Sequence, residues 1–298
     1  MQTTQAFSSE FYSALLPEFL LFAGLLALIL IPNLGKGTFR IPGTQIRLPW
    51  LLGGQRFSLT SNPHLPAWIA TITLTGAFVA VADSLNGGVE ALSVVSSDAD
   101  TAKELLMVNG FSRVFELIFF GALALASFAS MNRLKVEGVG GKLTEDQLYN
   151  NRRQADFYIL MLTCGLGMSV VALSQDLFVL FIGLELASFS TYVLVAFLKE
   201  SKAGAEAGMK YFIVGSVASG VGLYGLSMLY LWAGSLQFEV LATAFATSGT
   251  EPLPLIGIGF VLVGFGFKVS AAPFHFAAPD ADAGASSPVA GVLATART

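Results

Sequence analysis

Four side chains in this sequence could hand a proton from one to the next: Glu185, Lys210, Lys268 and His275. Glu185 stands alone in the apolar run Phe181-Ile182-Gly183-Leu184-Glu185-Leu186-Ala187-Ser188-Phe189-Ser190-Thr191-Tyr192-Val193-Leu194-Val195-Ala196-Phe197. A charge at the centre of a bilayer costs about 2.5–3.5 kcal/mol, so it is rarely there without a partner or a task. The bland alternative is a structural carboxylate, protonated or hydrogen-bonded to a neighbouring helix. Lys268 lies in Gly264-Phe265-Gly266-Phe267-Lys268-Val269-Ser270-Ala271-Ala272-Pro273. Pro273 has no amide hydrogen and breaks the helix. Broken transmembrane helices are tolerated where the freed backbone lines a polar cavity, which would give the lysine a hydrated place to exchange its proton. Otherwise it is a lysine snorkelling to an interface.

Lys210 follows Glu206 by four positions, the spacing of a helical ion pair, and reads equally as a snorkelling interfacial pair. His275 follows the break and can relay protons or cap a helix end. Arg113 and Glu116, three apart near the start of a span, read as an interfacial pair. Glu18 beside Pro17 is open to either reading.

Composition places these groups in membrane helices. The chain has 298 residues, 54% hydrophobic and 12% charged, with a mean hydropathy of +0.69. That charged fraction is half the roughly 25% of a soluble domain. Several runs are about 20 residues long, enough to cross the hydrocarbon as helices. The strand alternation and aromatic girdles of an outer-membrane barrel are missing. A net charge of −4, with most basic residues in loops, gives no support for nucleic-acid binding. The single Cys164 cannot hold an iron–sulfur cluster or a structural zinc, and two histidines are too few for the usual haem or copper sites.

The expected fold is therefore an all-α polytopic membrane protein with about seven transmembrane helices and the start of an eighth. The spans are placed at roughly 13–32, 66–83, 110–130, 156–174, 177–198, 208–232 and 253–272, with a new apolar start at Pro288. The first run lacks a basic n-region and a clear cleavage site, so it reads as a retained helix. Stretches 33–65, 84–110, 132–155 and 233–252 read as loops. Lys and Arg gather in 33–65, 132–155 and 199–209, and by the positive-inside rule this alternation puts the N-terminus outside. Loops 33–65 and 132–155 are longer than a bundle needs and could dock a partner. Residues 1–155 form an N-terminal unit of three helices with long polar loops, and 156–298 form a half-bundle incomplete at its C-terminal end. The sequence stops about ten residues into the eighth run, too early to cross, which reads as a fragment or a truncated frame.

These residues resemble a known family. Gly183-Leu184-Glu185-Leu186 with Ser188, Tyr192-Val193-Leu194 and Ala196-Phe197 is similar to the glutamate helix of subunit N of proton-pumping NADH:quinone oxidoreductase, respiratory complex I. Glu206-Ala207-Gly208-Met209-Lys210-Tyr211-Phe212 and the Lys268 segment through Phe274-His275-Phe276 resemble the same subunit, 25 and 83 positions after Glu185 to the two lysines. Val108-Asn109-Gly110-Phe111-Ser112-Arg113 resembles the start of its early helix. The likeness is good over roughly 105–298 and rests on hydropathy alone before that. Three features depart from the family pattern: no Trp near Ala277, Asp282-Ala283-Gly284 in place of Tyr-Glu-Gly, and Arg297-Thr298 where a lysine is expected.

The resemblance implies the first half of an antiporter-like inverted-repeat bundle of about fourteen helices, with a broken seventh helix. It implies Glu185 and Lys268 as a coupled ion pair, Lys210 as the connecting relay and His275 as a further step. No redox cofactor is expected in this chain; NAD, FMN, iron–sulfur clusters and quinone belong to partner subunits. The implied partners are other membrane-arm subunits, including sister antiporter-like subunits, in the cell inner (plasma) membrane. Competing readings are a cation/proton antiporter, which should bind sodium and work without NADH or quinone, and a non-conducting truncated remnant.

Overall fold

The computed structural model describes residues 2–3, 9–33, 38–40, 47–49, 64–87, 92–95, 104–131, 145–197, 201–248 and 250–297. Most of the long loops 33–65 and 132–155, and with them Arg133, Lys135 and Lys142, lie outside the described residues. Helices α1 (Ser9–Ala14), α2 (Leu16–Asn33), α3 (Leu65–Asn86), α4 (Gly110–Ser130) and α5 (Glu145–Leu173) are followed by α6 (Leu177–Val195) and α7 (Lys202–Ala233). Then come α8 (Phe238–Ser248), α9 (Pro252–Lys268), α10 (Ala278–Gly284) and α11 (Ser287–Arg297). Among the described residues α3, α4, α6, α7 and the Arg153–Leu173 part of α5 are long and apolar enough to cross a bilayer, while α2 and α9 are apolar and shorter. These seven stand where the apolar runs predict them, and α11 begins where the eighth run starts.

The boundaries differ in informative ways. Helix α5 begins at Glu145 and α7 at Lys202, so Arg152, Arg153 and Lys202 extend membrane helices instead of lying in loops. Ser201 caps α7, its hydroxyl accepting from the Gly204 amide at 3.2 Å. The loop expected at 233–252 contains α8. This helix is too short to cross, but Leu241 packs with Leu226, Leu229, Leu236 and Val261. The loop expected at 84–110 contains β4 (Leu92–Val95) and β5 (Glu104–Val108), paired antiparallel, with β1 (Gln2–Thr3) parallel to β4. A further antiparallel pair, β2 (Thr38–Arg40) with β3 (Arg47–Pro49), lies in the 33–65 stretch. Among the described residues, two small sheets thus decorate a helical bundle.

One apolar core runs from Leu21 of α2 through Leu74, Phe120, Tyr158 and Met161 to Leu293 of α11. The bundle closes tightly where side chains vanish. Gly222 of α7 faces Gly264 of α9, and a Cβ on Gly264 would stand 2.9 Å from the Gly222 Cα. Small residues permit this approach in membranes, where packing rather than water exclusion drives association.

The turn between α5 and α6 is held from three sides. The Asp176 carboxylate accepts from the amides of Phe178 at 2.8 Å and Val179 at 3.3 Å. The Gln175 amide donates to Leu105 and the Leu177 amide to Leu236. Loss of a cap of this kind costs about 1 kcal/mol. Asp176→Ala is therefore expected to lower the melting point of the purified protein modestly, and an unchanged thermal profile would remove the cap from the account of how α6 is anchored.

Candidate functional site

Helix α6 carries Glu185 and α9 carries Lys268, and the geometry of the site follows from where α9 stops. It was expected to run to about residue 272, but it ends at Lys268. Alanine 272 precedes a proline and is steered away from helical dihedrals. Ser270 takes a left-handed φ of 53°. The Val269 amide closes on Phe265, the Ser270 amide on Phe267 and the Ala271 amide on Gly266, satisfying three of the last carbonyls. Lys268 thereby sits in the final turn, where the carbonyl end of the helix favours a cation.

The Lys268 Nζ lies 2.9 Å from Oε1 of Glu185. The same oxygen accepts a hydrogen bond from the Ser219 hydroxyl of α7 at 2.7 Å. Nζ also donates to the Tyr192 hydroxyl at 3.2 Å and stands 5.5 Å from the centre of that ring. Tyr192 is two helical turns beyond Glu185 on the same face of α6, and Gly215 of α7 makes room for it: a Cβ there would collide with the phenol. The Tyr211 ring meets Tyr192 edge-on at 4.7 Å. The lysine side chain is 9% exposed and the glutamate 34%. A cavity of about 70 Å³ adjoins Lys268, lined among others by Phe119, Met168, Leu184, Thr191 and Tyr211. It has room for a few water molecules.

Not every expected residue joins this pair. Lys210 is half exposed on α7, with ion pairs to Glu206 at 2.8 Å and Asp280 of α10 at 3.1 Å. The helical spacing to Glu206 is as expected; the link to α10 is new. His275 is exposed in a 3-10 turn, Phe274–Ala277, that follows the break, and its carbonyl accepts from the Ala278 amide. Glu185 and Lys268 are in direct contact, while Lys210 and His275 lie outside that contact.

The pair expected at an interface is instead buried. Arg113 of α4 is 1% exposed and Glu116 0%, with Nη1 to Oε2 at 2.5 Å. Arg113 also donates to the Ala14 carbonyl and lies 3.7 Å from Glu18 of α2. The Ser169 hydroxyl of α5 is 2.7 Å from Oε1 of both Glu18 and Glu116. Sequence spacing offered the i,i+3 relation but not the convergence of α2 and α5 on it. Tyr192 and Ser219 were likewise unpredicted as site residues; the seven-residue step from Glu185 could have pointed to Tyr192, and nothing pointed to Ser219.

The site is thus a lysine at the end of a broken helix meeting a glutamate on another apolar helix, within a multi-pass helical membrane bundle. Residues 174–298 match the family described as NADH:quinone oxidoreductase/Mrp antiporter, TM. Within that class the chain resembles NADH-quinone oxidoreductase subunit N. The subunit from Sphingopyxis alaskensis is 40% identical over 183 residues, covering 60% of this chain and 38% of the relative. The chain spans less than half the length of the curated relatives it matches. Two solved structures share the fold. A chain of respiratory complex I from Thermus thermophilus superposes with a TM-score of 0.62 at 22% identity, covering 94% of this chain and 52% of that one. A chain of the Mrp complex from Dietzia gives 0.67 at 14% identity, covering 96% and 46%.

Proposed function

We propose that this chain is a proton-translocating membrane-arm subunit of an NADH-quinone oxidoreductase, with Glu185 and Lys268 as its proton-exchanging pair. The observation that carries the reading is the 2.9 Å contact between Lys268 and Glu185 at the end of a broken helix. A paired lysine and glutamate are mutually neutralising. Separating them inside a membrane leaves each charge short of its partner, which favours loss of the lysine proton and uptake by the carboxylate. Tyr192 and Ser219 hold the two heads in register. Lys210 and His275 extend the relay, Lys210 by passing its proton to an acceptor that replaces Glu206 or Asp280 and taking another once neutral, and His275 beyond the break.

In this reading the electrons, with NAD, FMN, iron–sulfur clusters and quinone, stay in partner subunits. The chain sits in the inner membrane among sister antiporter-like subunits, its N-terminus outside. The subunit N sequence likeness favours this assignment over a sodium/proton antiporter; the matched family description covers both classes, and the Mrp complex adds a shared fold at 14% identity.

The test is Glu185→Gln in the assembled membrane complex, with quinone reduction and proton uptake measured together. The expected outcome is assembly with proton translocation through this chain lost. Unchanged proton-to-electron coupling would overturn the proposal. Sodium transport by the purified chain without NADH or quinone would favour the antiporter.

A further inference from the structure

The buried cluster at the junction of α2, α4 and α5 has one proton too few for the contacts it makes. The Ser169 hydroxyl stands 2.7 Å from Oε1 of Glu18 and 2.7 Å from Oε1 of Glu116. A serine hydroxyl has one hydrogen to donate. With both carboxyls ionised, one of these two short contacts would set an oxygen lone pair against another. The hydroxyl can serve both only if one carboxyl donates to it. Charge leads to the same count. Two carboxyls, Glu18 and Glu116, face a single guanidinium, Arg113, at 3.7 and 2.5 Å. One buried guanidinium balances one carboxylate, not two.

The distribution of partners says which carboxyl is neutral. Glu116, fully buried, has Arg113 on one oxygen at 2.5 Å and Ser169 on the other. Glu18 is 3.7 Å from the guanidinium, and its Oε2 is buried without a partner. A carboxylate with a bare buried oxygen is far less tolerable than a neutral acid with a bare carbonyl. Arg113, 1% exposed, also keeps Nε without an acceptor, so its charge is directed through Nη1 onto Glu116 and through Nη2 onto the Ala14 carbonyl of α1.

We propose that Glu18, Ser169 and Glu116 form a proton-binding site separate from the Glu185–Lys268 pair. The proton rests on Glu18 Oε1 and the chain of donors runs from Glu18 to Ser169 to Glu116. Moving the site's proton needs two concerted transfers: Glu18 gives its hydrogen to Ser169 Oγ as Ser169 gives its own to Glu116 Oε1. No charge leaves the cluster, and the negative charge passes from Glu116 to Glu18. This assignment does not depend on the function proposed for Glu185 and Lys268.

Infrared spectra of the purified membrane complex in H2O and D2O test it. The wild-type minus Glu18→Gln difference is expected to contain the carbonyl stretch of a protonated carboxylic acid, shifted in D2O. The Glu116→Gln difference is expected to contain carboxylate bands. Ser169→Ala should move the Glu18 acid band, because the acid loses its acceptor. Glu18→Gln, an isostere of the neutral acid, should leave the melting temperature of the complex unchanged, whereas Glu116→Gln should lower it. A Glu18→Gln difference with carboxylate bands alone overturns the proposal. So does an acid band lost with Glu116→Gln and kept with Glu18→Gln, or one untouched by Ser169→Ala.

Discussion

Lys268→Arg is expected to abolish proton translocation through this chain while keeping the fold. The guanidinium retains the positive charge, can reach Glu185 and can donate to Tyr192, so the ion pair and the end of α9 are preserved. It cannot give up its proton in a protein. A residue needed only for its charge would survive this exchange. One needed to release a proton would lose a transfer step worth roughly 100-fold or more. Lys268→Met removes both roles and leaves Glu185, about one-third exposed, with the Ser219 hydroxyl as its remaining contact from α7. Proton uptake per quinone reduced, measured for both variants in sealed vesicles, separates the cases. Wild-type coupling in Lys268→Arg would reduce the lysine to a structural cation.

Arg113→Ala is expected to destabilise the protein by about 3–5 kcal/mol, the range for removing one partner of a buried ion pair. The cause is not the lost contact itself. Glu116, 0% exposed, loses its guanidinium counter-charge and keeps the Ser169 hydroxyl, and the Ala14 carbonyl loses its donor. Three helices meet at this point, so the damage should appear as loose packing of α2 against α4 and α5. The melting temperature of the purified complex and the amount of assembled chain would both fall. Arg113→Ala combined with Glu116→Gln removes the stranded charge and should recover part of the loss. A single variant as stable as the wild type would show that water reaches Glu116 and that the cluster is solvated.

The two sites differ in how much of them a reader of residues could see. Glu185 and Lys268 are conspicuous because each interrupts an apolar run, and the cost of such an interruption does not depend on any detail of packing. Glu116 and Arg113 gave no comparable signal. They stand in the first turns of α4, where charged residues are ordinary, and their burial follows from α2 and α5 closing over them. Helix α8 was missed for a related reason: a two-sided membrane signal needs about 20 residues, and an 11-residue helix packed by Leu241 does not provide it.

By itself, then, the order of amino acids determined that this is a membrane bundle, where its long apolar helices lie though not where α5 and α7 begin, and which intramembrane charges require an explanation. Those properties depend on local hydropathy and on proline's missing amide. The tertiary structure decided the rest: that Glu185 meets Lys268 directly, with Tyr192 and Ser219 as supports; that α9 ends at the lysine, because Ser270 turns left-handed ahead of the proline; and that Glu18, Arg113, Glu116 and Ser169 share one buried site. Contacts between helices 30 to 150 residues apart depend on which faces pack, and a stripe of glycine such as Gly215 sets that distance only when its neighbour is known.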